Sequence, residues 1–374
     1  MKITKLIALV LCISMMMCIF TGCDTSVEDV IGEYSETEES ARDFEKARAT
    51  YAADEVVMTI DGEDITWDEF FNWICFALAN YESTYGPVTD FSIATAVGNM
   101  SDTIVDEASY YILMYRAVEK KASELGVELA SDIDKQMAED WEEGIASFDN
   151  DEEALMDFIT QFYGSKELYE FTAKMDSLSP DLFEHFFGAG GEKLTSQQLE
   201  EGSEGYMMAK HILIQTTDDA TGLVLEEDAM KAAQEKIESI YAQLEAYEGD
   251  DLEGYFDELM KQYSEDEGSL TYPDGYLFQE GDMVNEFYNA AKSVEEGQFS
   301  EIVESQYGYH IVMRLPVDLD ATPIGLMSFG YSGSLRYFIA QNLFSEESRS
   351  WMEELDVETL EAYEKIDLTQ VFSA

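Results

Sequence analysis

The chain has 374 residues, of which 46% are hydrophobic, and 80 acidic against 21 basic residues give it a formal net charge of −59. This length and apolar content predict two or three domains with packed cores. The negative charge argues against nucleic acid as a partner, because phosphate binding needs a basic patch, and equally against electrostatic adsorption to an anionic membrane surface.

The first 22 residues have the pattern of a targeting segment. Lys2 and Lys5 precede an apolar run at 6–20 that is short for a membrane-spanning helix. Thr21-Gly22-Cys23 then resembles a lipobox, the cleavage site of bacterial lipoproteins, although Phe20 stands where leucine is usual. The resemblance implies a signal peptide at 1–22, lipidation of Cys23 and an extracytoplasmic protein anchored to the cell membrane of a bacterium. An ordinary secretory signal with a chance cysteine is the alternative.

Residues 23–50 are acidic and poor in aliphatic side chains, which predicts a flexible tether. Cys12 and Cys18 leave with the signal peptide, so Cys75 is the one unlipidated cysteine expected in the mature chain. An intramolecular disulfide is therefore not expected. Cys75 lies in an apolar helical stretch and is predicted to be a small core residue.

Residues 51–190 are predicted to form a helical domain. A strand at 56–60 is followed by the turn Asp61-Gly62, and Thr66 with Glu69 forms a capping box that opens a helix. Apolar periodicity predicts further helices. The predicted helices are 67–85, 101–125, 131 to about 141, 151–163, 166–178 and 181–187.

This arrangement resembles the N-terminal chaperone domain of secreted foldases. The strand, the Asp-Gly turn and a helix that begins Ile-Thr-x-x-Glu-Phe carry the resemblance, together with a helix that ends at Leu125-Gly126-Val127. It implies that unfolded or newly secreted polypeptides are the partners. An unrelated helical bundle is the alternative, and a homodimer is one arrangement that a helical cradle leaves open.

Residues 206–315 carry four ordered motifs. These are Lys210-His211-Ile212-Leu213-Ile214, the loop Tyr263-Ser264-Glu265-Asp266, the stretch from Phe278 through Met283 to Phe287, and Tyr307-Gly308-Tyr309-His310-Ile311. Two of the chain's three histidines stand in the first and last motifs. In this order the motifs resemble the parvulin family of peptidyl-prolyl isomerases. The resemblance implies a lobe of the order βαααβαββ.

The parvulin resemblance implies roles for individual residues. His211, Asp266 and His310 would be catalytic, with the histidines hydrogen-bonded to each other and holding the loop that bears Asp266. Met283 and Phe287 would grip the proline ring above Phe278, and Ser305 and Tyr307 would line the site beside the second histidine. A satisfied core pair is the alternative for the histidines, plain core for Met283 and Phe287, and a loop cap for Asp266. No cofactor or metal is expected.

Gly275 departs from the parvulin pattern. The family usually reads Gly-Asp-Leu-Gly, whereas this chain reads Pro273-Asp274-Gly275-Tyr276, so glycine falls where leucine lines the pocket. Either Tyr276 or Leu277 could replace the missing side chain, or the pocket could be looser and the activity weak.

The remaining chain is expected to return to the helical domain. Residues 316–333 read as a linker, and residues 334–374 as a helix and tail that pack on the N-terminal helices. The predicted fold class is α+β, a helical chaperone domain completed by the C-terminal segment with the parvulin-like lobe inserted. The predicted function is peptidyl-prolyl cis-trans isomerisation in the folding of secreted proteins. The alternative is a holdase whose parvulin lobe is weak or inactive.

Overall fold

A computed structural model describes residues 42–217, 223–328 and 330–373. The predicted signal peptide, the lipidation site Cys23 and the tether up to residue 41 lie outside the described residues. In chain order the helices are α1 (Phe44–Arg48), α2 (Trp67–Tyr85), α3 (Met100–Leu125), α4 (Ile133–Ser147), α5 (Glu152–Tyr163), α6 (Lys166–Phe187), α7 (Ser196–Gly202), α8 (Glu227–Glu245), α9 (Leu252–Tyr263), α10 (Gly268–Thr271), α11 (Asn285–Lys292), α12 (Ile324–Met327), α13 (Leu335–Glu353) and α14 (Leu368–Val371). The strands are β1 (Val56–Ile60), β2 (Glu63–Thr66), β3 (Met207–Gln215), β4 (Tyr276–Phe278), β5 (Val303–Glu304), β6 (Gly308–Leu315) and β7 (Val357–Thr359).

The described chain divides into two compact units. One, here called the helical unit, contains residues 42–189 and 341–373; the other, here called the sheet unit, contains residues 190–340. Across the described ranges, no helix combines the length and the hydrophobicity that crossing a bilayer requires.

The C-terminal segment completes the helical unit. Strand β7 pairs antiparallel with β1, which places Val357 opposite Ile60 in a sheet of the order β2-β1-β7. The ring of Phe344 on α13 lies 5.5 Å from that of Phe183 on α6. Cys75 is fully buried on α2, as predicted. The predicted fold class is confirmed: N-terminal helices and a C-terminal return segment form one unit, and the α+β lobe is inserted between them in the chain.

The helical unit begins earlier than the predicted end of the tether. Residues 42–50 were expected to be flexible, but they include helix α1, and Ala47 is buried. The Arg48 guanidinium donates to the carbonyl of Gly164 across 2.8 Å and lies over the ring of Phe71. The bond to Gly164 joins segments more than a hundred residues apart, which explains why local composition did not indicate it.

Helix α6 is continuous where two helices were predicted. Pro180 lies inside it and removes one backbone donor. The apolar face nevertheless runs on through Leu178, Leu182 and Phe183, all of them buried. Burial of this face holds the chain helical on both sides of the proline.

The sheet unit is built on an antiparallel sheet of the order β4-β3-β6-β5. Strand β3 is central, and eight of its nine residues are buried, so both of its faces are covered. Helices α8 and α9 pack on one face, and α11 packs on the other. Side chains alternate along a strand, so Met207, Ala209 and His211 share the α11 face. This alternation brings the first histidine beside the apolar cluster under α11.

Candidate functional site

The two strand histidines are diagonal neighbours on the α11 face of the sheet. In the β3–β6 register, His211 is opposite Val312, and His310 is opposite Leu213. Diagonal pairs of this kind lie within reach of ring side chains. The two rings are nearly parallel at 15°, and their Nδ1 atoms are 2.9 Å apart. Both residues are almost fully buried.

Asp266 is brought to His211 by the loop that follows α9. The edge of β3 beyond β4 is occupied by this loop: Glu265 N–H donates to the carbonyl of Leu213 across 2.8 Å, and Leu213 N–H donates to Ser264 Oγ across 3.1 Å. The Tyr-Ser-x-Asp motif therefore fastens itself to the strand. As a result, His211 Nε2 lies 2.8 Å from Asp266 Oδ2.

A residue absent from the predicted site also binds Asp266. The hydroxyl of Tyr276 donates to Asp266 Oδ2 across 2.6 Å, and Gly268 N–H donates to the other carboxylate oxygen across 3.1 Å. Burial by itself would raise the pKa of Asp266, but the bonds from His211, Tyr276 and Gly268 outweigh it and lower the pKa to about 2. Asp266 is therefore ionised at neutral pH.

Ser305 closes the other end of the chain of hydrogen bonds. Its Oγ lies 2.6 Å from His310 Nε2 and accepts the N–H of Tyr307 across 3.1 Å. Burial lowers the pKa of His310 to about 3, helped by His211 and opposed by Asp266. His310 is therefore neutral near pH 7 and carries one N–H.

The charge on Asp266 fixes one donor in this chain of hydrogen bonds. Ionised Asp266 only accepts, so His211 Nε2 donates to it. The two remaining bonds can run in either direction: Ser305 donates to His310 and His310 to His211, or His211 donates to His310 and His310 to Ser305. The chain Ser305–His310–His211–Asp266 is fully bonded in both directions.

The predicted apolar residues lie next to this chain but are not equally exposed. Phe278 and Phe287 are 0% and 1% exposed, and the Phe287 ring meets the His211 ring edge-on at 5.1 Å. Met283 is half-buried and packs against the same cluster. The geometry thus places Phe278 and Phe287 in the core that supports His211, and Met283 at the surface that a ligand can touch. Tyr307 is 51% exposed at the rim.

Tyr276, and not Leu277, shares the face of the histidines. Leu277 pairs with Met208 and points with it to the other side of the sheet, whereas Tyr276 belongs to the cluster that contains Phe287. The sequence signal for Tyr276 was its place in the altered Gly-Asp-Leu-Gly pattern. Nothing in the sequence indicated that its hydroxyl would reach Asp266.

Gly275 is required by the backbone at this point. Its φ is +107°, a conformation that side chains other than glycine rarely adopt. A Cβ there would lie 2.9 Å from the carbonyl oxygen of Ala209 and 3.1 Å from a methyl of Leu315. A leucine does not fit this backbone path. No group of three or more histidine, cysteine, aspartate or glutamate side chains in the described residues could hold a metal ion.

Comparison with known proteins assigns the segment that carries this site. Residues 211–315 match the family model described as Rotamase, PPIC-type PPIASE domain. The chain is 34% identical to the foldase protein PrsA 1 of Bacillus cereus over 121 residues, 32% of this chain and 34% of that protein. It is 36% identical to the chaperone SurA of Alkalilimnicola ehrlichii over 124 residues, 33% of this chain and 23% of that protein. The matches thus span about a third or less of these two relatives.

A solved structure, a peptidylprolyl isomerase (PrsA) from Bacillus cereus, aligns with 81% of this chain and 91% of its own, at 18% identity and a TM-score of 0.29. The family match, which begins at the first site histidine and ends at the last residue of β6, confirms the predicted parvulin resemblance for this segment.

Proposed function

We propose that this chain, whose residues 211–315 form a parvulin-type domain, catalyses cis-trans isomerisation of peptide bonds that precede proline. The observation that supports the proposal is the bonded chain from Ser305 through His310 and His211 to an ionised Asp266, set beside the half-buried Met283. The clients proposed are unfolded polypeptides, in keeping with the names of the foldase and chaperone relatives.

The reaction needs no nucleophile. Rotation about the bond is opposed by a barrier of about 18–20 kcal/mol that arises from amide resonance. In the planar amide, resonance places negative charge on the carbonyl oxygen, and twisting the bond removes it. A carboxylate beside that oxygen destabilises the planar state more than the twisted one, which lowers the barrier.

The residues of the site have distinct parts in this proposal. Asp266 supplies the negative charge, and His211 and Tyr276 hold its carboxylate in place. His310 and Ser305 fix the orientation of His211, and Met283 contacts the proline ring. The half-exposed Tyr307 at the rim contacts the peptide backbone or a neighbouring side chain.

The location of the reaction is also a proposal. The signal-like residues 1–22 and the lipobox-like Thr21-Gly22-Cys23 support secretion and lipidation at Cys23, with the folded units outside the cytoplasmic membrane. An extracytoplasmic place fits the relatives named foldase and chaperone.

A homodimer through the helical unit would be tested by the sedimentation of the soluble chain.

A protease-coupled isomerisation assay on Xaa-Pro peptides tests the proposed activity. The soluble chain from Asp24 should accelerate isomerisation above the spontaneous rate, and Asp266→Asn should reduce kcat/KM about tenfold or more, because it removes the charge and keeps the shape. His310→Ala tests the other end of the chain of bonds. His185→Ala, which removes an exposed histidine of the helical unit, is the control.

A holdase is the second candidate, favoured by the nearly complete burial of Phe287, which leaves little depth for a proline ring. Absence of isomerase activity in a chain that still suppresses the aggregation of an unfolded client would favour this candidate. Equal activity of Asp266→Asn and wild type would reject the role proposed for the carboxylate.

A further inference from the structure

The segment that follows the parvulin-type domain is folded against the sheet unit. Residues 316–333 were predicted to be a linker, but two backbone bonds close the base of a loop: Arg336 N–H to the carbonyl of Leu319 across 2.8 Å, and Leu335 N–H to that of Ala321 across 2.9 Å. Pro323 forms a parallel bridge with Leu277 on the edge strand β4. The loop therefore holds helix α12 at that edge, outside the segment matched by the family model.

Helix α12 contacts the residues around the proposed proline site. Ile324 packs against the same apolar cluster as Met283. The hydroxyl of Tyr272 donates to the sulfur of Met327 across 3.5 Å, and the Tyr272 ring lies 5.2 Å from that of Tyr276. Tyr272, Ile324 and Met327 are here called the outer wall.

The outer wall is apolar and open to solvent. Met327 is 38% exposed, and Tyr272 and Ile324 are half-buried. Nearby Leu270, on α10, is 85% exposed. Contiguous exposed apolar surface commonly marks a binding site. Methionine and tyrosine suit side chains of differing shape, because methionine is flexible and polarisable and tyrosine presents a broad ring.

We infer that the outer wall is a second apolar subsite, which binds a large apolar side chain flanking the proline of the substrate; the inference rests on the proposed isomerase function. This occupant is supported by the continuity of the outer wall with the proposed proline site. Met283 and Ile324 pack on one cluster, and successive residues of an extended peptide are about 3.3–3.6 Å apart, so a peptide seated on Met283 brings a neighbouring side chain to the wall. The carboxylate of Asp282, which lies beside Gly325 on α12, disfavours an acidic side chain there.

Peptides that differ only beside the proline test the inference. Two series place alanine, leucine, phenylalanine or glutamate before or after it, and both kcat/KM and Kd are measured with the soluble full chain. In at least one series, the leucine and phenylalanine peptides should have a kcat/KM about tenfold higher than the alanine peptide, and bind correspondingly tighter. This is the effect expected from burying a few methylenes. Met327→Ala should remove most of this preference, whereas Met327→Leu should keep it.

Met230→Ala is the matched control, because Met230 is a half-buried methionine on α8, on the opposite face of the sheet. Equal preference in wild type and Met327→Ala in both series would overturn the inference. Kd separates this outcome from failure of the proposed function. If no peptide is isomerised but Met327→Ala still weakens binding of the leucine peptide, the subsite stands and the isomerase proposal fails.

Discussion

His211 and His310 face each other across 2.9 Å between their Nδ1 atoms, although neither is the other's direct partner in the β3–β6 register. This diagonal contact joins Ser305 to Asp266 through two rings. Each ring nitrogen has a partner, so the buried histidines carry no unsatisfied polar atom. Asp266 accepts from the side chains of His211 and Tyr276 and from the N–H of Gly268, and removing the Tyr276 hydroxyl is the most direct test of how the site works.

Tyr276→Phe should raise the pKa of Asp266. The Tyr276 hydroxyl bond is one of the causes that lower that pKa to about 2, and the variant removes this bond while keeping the ring in the core. The pKa is measured by carboxyl-carbon NMR of labelled Asp266. We also expect kcat/KM for a proline peptide to fall by about tenfold or more, because a hydrogen bond to a charged group contributes about 1.5–3 kcal/mol.

Tyr288→Phe is the control for this prediction, since it removes a hydroxyl from a half-buried tyrosine against the same cluster without touching Asp266. An unchanged Asp266 pKa in Tyr276→Phe would show that the tyrosine is only a packing residue.

Restoring the family's leucine at Gly275 should destabilise the sheet unit. Gly275→Ala or Gly275→Leu forces a side chain into a positive-φ position against the Ala209 carbonyl, which costs about 1–3 kcal/mol. Gly281→Ala is a matched control, because Gly281 has a similar φ of +99° with open space around it. Hydrogen exchange of the β3 amides should show a larger loss of stability for Gly275→Ala than for Gly281→Ala. Equal losses of stability would mean that the contact with the Ala209 carbonyl adds nothing to the cost of the positive φ.

The sequence predicted the parts of this protein that local patterns determine. The four motifs located β3, the Asp266 loop, α11 and β6 in the right order, and the helical periodicity located α2 and α3 closely. Patterns of this kind do not encode which side chains meet across the fold. The Tyr276 hydroxyl on Asp266, the Arg48 bond to Gly164 and the return of α12 to β4 all join segments that are separate in the chain.

The burial of Phe287 was left open for the same reason. Met283 and Phe287 were both expected to grip the proline ring, with plain core as the alternative, but the two side chains differ in burial. Met283 lies just before the first residue of α11. Phe287 lies within that helix, on the face that packs against the sheet. Whether a residue is core or binding surface depends on that depth, and periodicity does not measure it.

The sheet unit should lose stability in mild acid because of His310. Burial lowers the pKa of this histidine to about 3, against about 6.5 in an unfolded chain. The unfolded chain therefore takes up a proton first as the pH falls, so the contribution of His310 is present above about pH 6.5 and is lost progressively toward pH 3. Between pH 7.5 and pH 5 the loss should be about 2 kcal/mol.

Hydrogen exchange of β3 and β6 amides, corrected for intrinsic rates, measures this loss. His310→Gln should flatten the pH dependence, and His185→Gln, which removes an exposed histidine of the helical unit, is the control. A wild-type free energy of opening that is the same at pH 7.5 and pH 5 would contradict the prediction.

The helical unit should respond to pH in the opposite direction. Glu107 on α3 is 5% exposed, and in the described structure its Oε1 has no hydrogen-bond partner. Burial raises its pKa to about 7, so the folded state favours the protonated acid. Its contribution is present below the unfolded pKa of about 4.3 and is lost as the pH rises through about 7.

Glu107→Gln should therefore stabilise the helical unit at pH 8, by about 1–3 kcal/mol, and have little effect at pH 4.5. The four tryptophans of the sequence, Trp67, Trp73, Trp141 and Trp351, all belong to this unit, so urea unfolding followed by tryptophan fluorescence isolates it. Glu119→Gln, at a half-exposed ion pair on the same helix, is the control. A variant no more stable than wild type at pH 8 would mean that the carboxylate is solvated.

Truncation of Met283 should mainly weaken peptide binding, and truncation of Phe287 should mainly reduce the stability of the sheet unit. Phe287→Ala removes a fully buried ring that packs against His211 and Phe278, which should cost about 3–5 kcal/mol in the hydrogen exchange of β3. Met283→Ala removes a half-buried side chain, so it should cost about 1 kcal/mol or less and weaken binding of a proline peptide about tenfold.

The Kd of a proline peptide and the exchange of β3 are measured for both variants at a temperature where Phe287→Ala remains folded. Met230→Ala, on the opposite face of the sheet, controls for loss of a methionine. If Met283→Ala binds the peptide as wild type does, the proline contact must lie elsewhere along the rim, and the burial of Phe287 would then count in favour of the holdase.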